Sequence, residues 1–350
     1  MVAILLGGKT LTETAARQDA QRRACLRGLR FIHQHSLVGE NFEDWAGDYL
    51  WCFYCVSSTS RDAELRELGR EFGLQGARRW MASQDALPEL TYAGEMAYYV
   101  SLLHVSNLLG MENPQLRRHV QRRTRRFTAH EYLGFDPLRE GPPALPGRSR
   151  YDVWSDALVL TYTFEGFGAP LGAEYTDVLR WLPDMRPYRG AESGANPEFR
   201  DVVFAITHLV YTLNDYCRYR LPSCWLPEEF EFLRANINDP LVVGDAELLG
   251  EFTDSLRSFG VVESDPDLSI GVEYLLSSQN RDGSWGDEND PDQHTRYHAA
   301  WTAIDALREY DWRERTVWPE SLRRCLGQRD SPPRAVRPGL WREASILHRE

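Results

Sequence analysis

The chain has 350 residues, 42% of them hydrophobic and 26% charged, with a net charge of −12. That balance is ordinary for a globular protein. The acidic charge argues against nucleic acid as a main partner, because phosphate recognition needs a cationic surface. No run of about 18 apolar residues predicts a membrane span. Lys9 is the sole lysine, which nearly excludes Schiff-base catalysis. The opening MVAILLGGK has no basic leader, so no signal peptide is predicted and the cytoplasm is the expected setting. In that compartment the six cysteines, Cys25, Cys52, Cys55, Cys217, Cys224 and Cys325, are expected as free thiols.

In chain order, the pattern predicts helices near 12–35, 42–57, 61–82, 91–109, 114–132, 149–166, 174–183, 197–219, 227–236, 244–259, 267–279 and 292–310. Gly, Pro, Asn and Asp punctuate the gaps. The odd-numbered segments each close on an aromatic: Phe31, Trp80, Phe127, Trp181, Phe232 and Tyr274, at intervals of 49, 47, 54, 51 and 42 residues. A period of this size marks repeated helical hairpins. The odd segments carry Arg and Glu at helical spacing. The even ones are apolar nearly all round, as in DVVFAITHLVYTLNDY, and a helix apolar on every side is buried. The expected fold is an all-α (α/α)6 toroid over residues 1–327, with the even helices inside, and a Pro- and Arg-rich tail at 328–350. The Pro/Gly-rich stretch 136–149 reads as a loop over the rim. The basic run RRHVQRRTRR at 117–126 reads as a solvated outer face, paired with acidic neighbours.

In such a fold, polar residues on the inner helices decide function. The second inner helix offers Tyr98 and Tyr99 as wall residues and His104 at mid-depth. Asp156 on the third follows Asp152 by four residues and is a candidate acid; Tyr162 is a candidate wall residue. On the fourth, His208 sits in an apolar run with Asp215 seven residues on, expected on the same face, and Tyr211 between them. Glu247, Glu251 and Asp254 form a carboxylate stripe on the fifth. On the sixth, His294 and His298 stand at i, i+4, followed by Trp301 and Asp305. Each has a structural alternative, as a helix cap, a solvated face or a hydrogen-bonded core polar group. Taken together, His104, His208, His298 and Glu251 are a nitrogen and oxygen donor set suited to a divalent metal: zinc, non-haem iron, manganese or copper. The pair Cys52 and Cys55 has CxxC spacing but lies inside a helix pattern without a second pair, and reads as core.

The segment LLSSQNRDGSWGD, with Gln279, Gly283 and Trp285, resembles the QW repeat of squalene-hopene and oxidosqualene cyclases. The following DQHTRYHAAWTA, with Tyr297 and His298, resembles the inner helix of protein prenyltransferase β-subunits, whose His binds zinc. The close match spans about residues 271–310. Both families share the α/α toroid, so the resemblance implies that fold, with the Gln reaching the start of the next helix and the Trp stacking across it. The chain lacks the D-x-D-D run and the D-D-x-x-D run of terpenoid cyclases; of the Asp and Cys that complete the prenyltransferase zinc site, the corresponding segment 244–259 offers carboxylates, Glu247, Glu251 and Asp254, but no Cys. The resulting expectation is a metal-dependent enzyme of specialised metabolism acting on a small, largely apolar, isoprenoid- or polyketide-like substrate in a central cavity. The catalytic candidates are Asp156, Tyr211 and Asp215, and a homodimer stays open. Two alternatives stand beside it: a metal-free cyclase or isomerase with a lone carboxylic acid such as Asp156, and a non-catalytic binder of apolar ligands.

Overall fold

A computed structural model describes residues 11–84, 87–314 and 319–326; the tail at 328–350 and Lys9 lie outside the described residues. Among those described, the regular structure is all helix, with three isolated bridges and no strand.

The six even segments are six buried helices: α2 (Gly39–Thr59), α4 (Ala93–Leu108), α7 (Arg150–Phe167), α10 (Phe199–Leu213), α13 (Ala246–Ser258) and α15 (Gln293–Leu307). Their contacts run from α2 to α4, α7, α10, α13 and α15, and from α15 back to α2. The odd segments flank them. α1 (Leu11–Leu37) lies on α2 and α15, α3 (Ala63–Ala82) on α2 and α4, and α14 (Pro266–Ser278) on α13 and α15.

Two outer segments break where one helix each was expected. The segment at 114–132 becomes α5 (Pro114–Arg123), a 3-10 turn and α6 (Ala129–Leu133). Thr128 and Glu131 form a reciprocal capping box that restarts the helix. The segment at 174–183 becomes α8 (Tyr175–Leu179) and α9 (Leu182–Met185), with Pro183 at the start of α9. The remaining outer helices are α11 (Pro227–Asn236), α12 (Asn238–Val243) and, after α15, α16 (Glu320–Cys325). Of the arginines of α5 and its 3-10 turn, Arg118, Arg122, Arg125 and Arg126 are exposed, as a solvated outer face requires.

α10 ends at Leu213, short of the expected 219, because Asp215, Tyr216 and Cys217 all turn left-handed (φ 58°, 51° and 62°). The Asn214 side chain holds this turn: its Oδ1 accepts from the Cys217 amide at 2.6 Å and its Nδ2 donates to Ser258 at 2.8 Å. Each non-glycine residue held there is strained by about 1–3 kcal/mol, so the surrounding contacts must over-determine it.

The Gln279–Trp285 loop joins the last hairpin to the first. Gln279 Nε2 donates to the Ala24 carbonyl of α1 at 2.9 Å, and Trp285 Nε1 donates to the Leu275 carbonyl at 2.7 Å. The indole is buried against Gly28 of α1. The Gln therefore reaches the middle of α1 rather than the start of the next helix. Below α15, Asp311 donates to the Thr59 carbonyl and Arg61 to the Glu309 carbonyl, both at 2.8 Å, tying the end of α15 to the end of α2.

Candidate functional site

Residues from all six buried helices line a cavity of about 770 Å³. Helical period decides what lines it. From α15 come Thr295, His298, Trp301 and Asp305; from α13 Glu247, Glu251 and Asp254; from α10 Arg200, Phe204, His208 and Tyr211. Each set recurs every three or four residues, one face of a helix. Leu145 and Arg148 reach the cavity from the 136–149 loop, which therefore does cover this site.

Gly250 sets the distance between two of these walls. A Cβ there would meet the Thr302 backbone carbon at 2.7 Å, so only glycine lets α13 and α15 approach so closely. That approach brings His298 Nδ1 to 2.7 Å from Glu247 Oε1. Glu247, 4% exposed, also binds Arg200, which pairs with Asp245 at 2.8 Å. Burial would raise the Glu247 carboxyl, but the His298 hydrogen bond and charge, with Arg200, hold it at about 2. Burial likewise opposes charge on His298; Glu247, then Glu251 and Asp48, overcome it and raise the imidazole to about 9. His298 is thus an imidazolium at neutral pH, fixed by a carboxylate.

One turn further, Glu251 is buried and lines the cavity. Burial pushes its carboxyl up to about 7, against the His298 charge and a Thr207 hydrogen bond. His208 stands opposite in charge state. Burial and the His298 charge lower it to about 3, so it is a neutral imidazole. Its Nδ1 is buried without a partner, and its ring packs on Tyr211 at 4.6 Å. His294 stacks on His298 at 5.0 Å and 17°. The cap of α15 is Asp292, whose side chain accepts from the His294 amide at 2.9 Å; His294 itself lines the cavity.

Aromatic rings form another part of the wall. Trp51 stacks on Tyr216 at 4.7 Å, and Tyr211 lies 4.9 Å from Tyr216. The strained turn after α10 is what places Tyr216 there. Trp301 packs edge-on against His298 at 5.7 Å.

The structure brings His208, Tyr211, Glu251, His298 and Trp301 to one cavity, with Asp156 on its wall. Asp156 is not a lone acid, since it pairs with Arg148, which also holds Asp152. The other expected site residues do not line the cavity. His104 is buried in the seam between α4 and α7, against Gly166 and 5.6 Å from Trp51. Tyr98 is partly exposed, with its hydroxyl on the Glu43 carbonyl at 3.2 Å, and Tyr99 donates to Gln84 at 2.9 Å. Ser101 is the α4 residue that lines the cavity. Tyr162 and Asp215 bond each other at 2.5 Å behind the wall, where Arg218 pairs with Asp215 at 2.7 Å and Arg218 also reaches Tyr54 at 2.6 Å. The seven-residue spacing from His208 to Asp215 fails because α10 has already ended.

Of the four donors expected for a metal, His208, Glu251 and His298 line this cavity. His104 stands apart, His298 carries a proton on Glu247, and among the described residues no three His, Cys, Asp or Glu side chains are grouped to hold an ion. All six cysteines are free, as expected. Cavity residues that the sequence reading missed include Asp48, Trp51, Arg200 and Tyr216. Asp48 and Trp51 were legible in principle as an i, i+3 pair on an inner helix; Tyr216 was not, because its position depends on the left-handed turn. Among the described residues no helix is long and apolar enough to cross a membrane. No protein family model, no curated protein and no solved structure matches this chain.

Proposed function

We propose that this chain is an (α/α)6 toroid, akin to the terpenoid cyclase and prenyltransferase group, and a metal-independent enzyme of proton-transfer chemistry. Its substrate is a small, largely apolar molecule held in the central cavity, and the reaction class is isomerisation or cyclisation. The closed cycle of contacts among α2, α4, α7, α10, α13 and α15 supports the architecture.

The observation that carries the chemistry is Glu251, a buried cavity carboxyl at about 7 beside the fixed His298 imidazolium. A group with its pKa near neutrality can both give and take a proton at working pH. Glu251 is the acid in this reading, in place of Asp156. Glu247 positions His298, whose charge stabilises the carboxylate that Glu251 becomes when it gives up its proton. Tyr211, Tyr216, Trp51 and Trp301 supply an aromatic wall for the substrate.

The test is turnover of apolar olefins and carbonyl compounds in D2O, with deuterium incorporation read by mass spectrometry. Glu251→Gln should lower the rate by about 10²–10⁴-fold, the range for loss of a general acid. Elemental analysis of the same purified protein separates this reading from metal chemistry. A stoichiometric divalent metal, lost together with turnover in His208→Ala, sinks it. A tightly held apolar ligand without turnover would instead make the chain a carrier.

A further inference from the structure

We propose that the ligand of this cavity carries a positive charge on a mostly apolar body, as a protonated or quaternary amine does. This rests on the cavity being the ligand site, as proposed above, and it names the chemistry of what enters.

The first observation is an imbalance of charge. Among the described residues lining the cavity there are eight carboxyl side chains against three guanidiniums. Each guanidinium is already taken. Arg148 is shared by Asp152 and Asp156, Arg200 lies on Glu247 and Asp245, and Arg308 lies on Asp305. Even with His298 protonated the lining stays negative. Two carboxyls make it plain. Asp48 accepts from the Tyr297 hydroxyl at 2.5 Å; Asp254 accepts from the Tyr310 hydroxyl at 2.5 Å and from the Cys217 thiol at 3.2 Å. These are neutral donors, and the one imidazolium that faces Asp48, His298, is already shared with Glu247 and Glu251. Half-buried carboxylates left this way call for a cation.

The second observation is independent of charge. The rings of Trp51, Tyr211, Tyr216 and Trp301 line the same cavity, and the Trp51–Tyr216 stack is held in place by a strained turn. Ring faces attract cations, most of all organic ammonium ions. The third observation excludes the small inorganic alternative. The carboxyls are dispersed over α2, α7, α13, α15 and the N-cap of α15, and among the described residues no three donors are grouped. A small ion needs converging ligands. An alkylammonium needs only a negative, aromatic hollow.

The probe is benzyltrimethylammonium, set against its neutral carbon isostere neopentylbenzene, with the full chain and tryptophan fluorescence as readout. The cation should bind at least about tenfold more tightly than the isostere. Asp254→Asn and, on another helix, Asp48→Asn should each weaken the cation by about threefold or more and leave the isostere unchanged. Far-ultraviolet circular dichroism checks that both variants fold, and the second stands if the first does not. Equal or tighter binding of the isostere overturns the inference, and so does failure of both compounds to bind. Glu251→Gln separates the two proposals. It should lower turnover by about 10²–10⁴-fold while cation affinity stays within about threefold. Turnover retained with the cation still bound removes the proton-transfer reading alone.

Discussion

Two seams of this protein are built alike and end in opposite states. At the α13–α15 seam, Gly250 admits the neighbouring helix and His298 stands in the contact. At the α4–α7 seam, Gly166 makes room for a side chain rather than a backbone: His104 stands in the contact, where a Cβ on Gly166 would meet its Nε2 at 2.6 Å. His298 meets Glu247 and is raised to about 9; among the described residues no carboxylate bonds His104, and burial with the Arg117 charge nearby lowers it to about 3. Helix, burial and residue type are therefore not enough to give an imidazole its role. The partner across the seam decides it, and the partner is what turns one seam toward chemistry and leaves the other as packing.

The comparison breaks first at Glu247. Glu247→Gln leaves the His298 imidazolium buried without its anion, while Arg200, 42% exposed, keeps Asp245. Removing one member of a buried pair costs about 3–5 kcal/mol. Urea unfolding should show that loss, and the His298 imidazole, followed by NMR, should titrate below its present position.

Gly166→Ala attacks the other seam. In an exposed helix this change would stabilise by about 0.5–1 kcal/mol. Here the new methyl meets the His104 ring, so a net loss of about 1–3 kcal/mol is expected from overpacking. Adding His104→Ala should recover part of it, and a double-mutant cycle by thermal or urea unfolding measures the coupling. Purely additive losses would mean that the two residues do not touch.

The seams also differ in how pH acts on them. His298 is raised in the folded state, so its contribution is full below the ordinary pKa of 6.5 and is lost as pH climbs through about 9. Glu247 is depressed, so its contribution is full above its ordinary 4.5 and is lost as pH falls toward about 2. The pair is thus strongest between about 4.5 and 6.5. His104 has the reverse sign. Its folded pKa is lowered, so it destabilises the protein as pH falls below 6.5 toward about 3. His104→Gln should therefore flatten the stability profile below pH 6.5, and Glu247→Gln should flatten it above.

Much of this was legible in the sequence because it rests on local pattern. The twelve segments and their alternation of buried and outer helices follow from periodicity, which a single chain displays openly. His208, Glu251 and His298 were readable for the same reason: a polar residue in an apolar helix must face something. What the sequence could not display was which face of α4 points inward, since that helix is apolar almost all round and offers no stripe to orient it. Nor could it display the break at Asn214. The left-handed run from Asp215 to Cys217 depends on Ser258, which lies 44 positions away, and it moves Asp215 behind the wall while bringing Tyr216 onto it. Partnering across seams is non-local in the same way. Arg148 taking Asp156, and Glu247 taking His298, are pairings that no spacing rule contains.

The smallest effect tests the orientation of α4. Tyr98 is 37% exposed and its hydroxyl makes one contact, with the Glu43 carbonyl. Tyr98→Phe removes that hydroxyl and keeps the ring, so stability should change by no more than about 0.5 kcal/mol. Cation binding and turnover should not move at all. Tyr211→Phe changes the same atom on a residue that lines the cavity beside Glu251, and it should alter ligand affinity while stability stays within the same margin. A Tyr98→Phe variant with weakened binding would mean that α4 presents a different face to the cavity, and His104 would then have to be reconsidered as a cavity residue rather than a neutral filler of the α4–α7 seam.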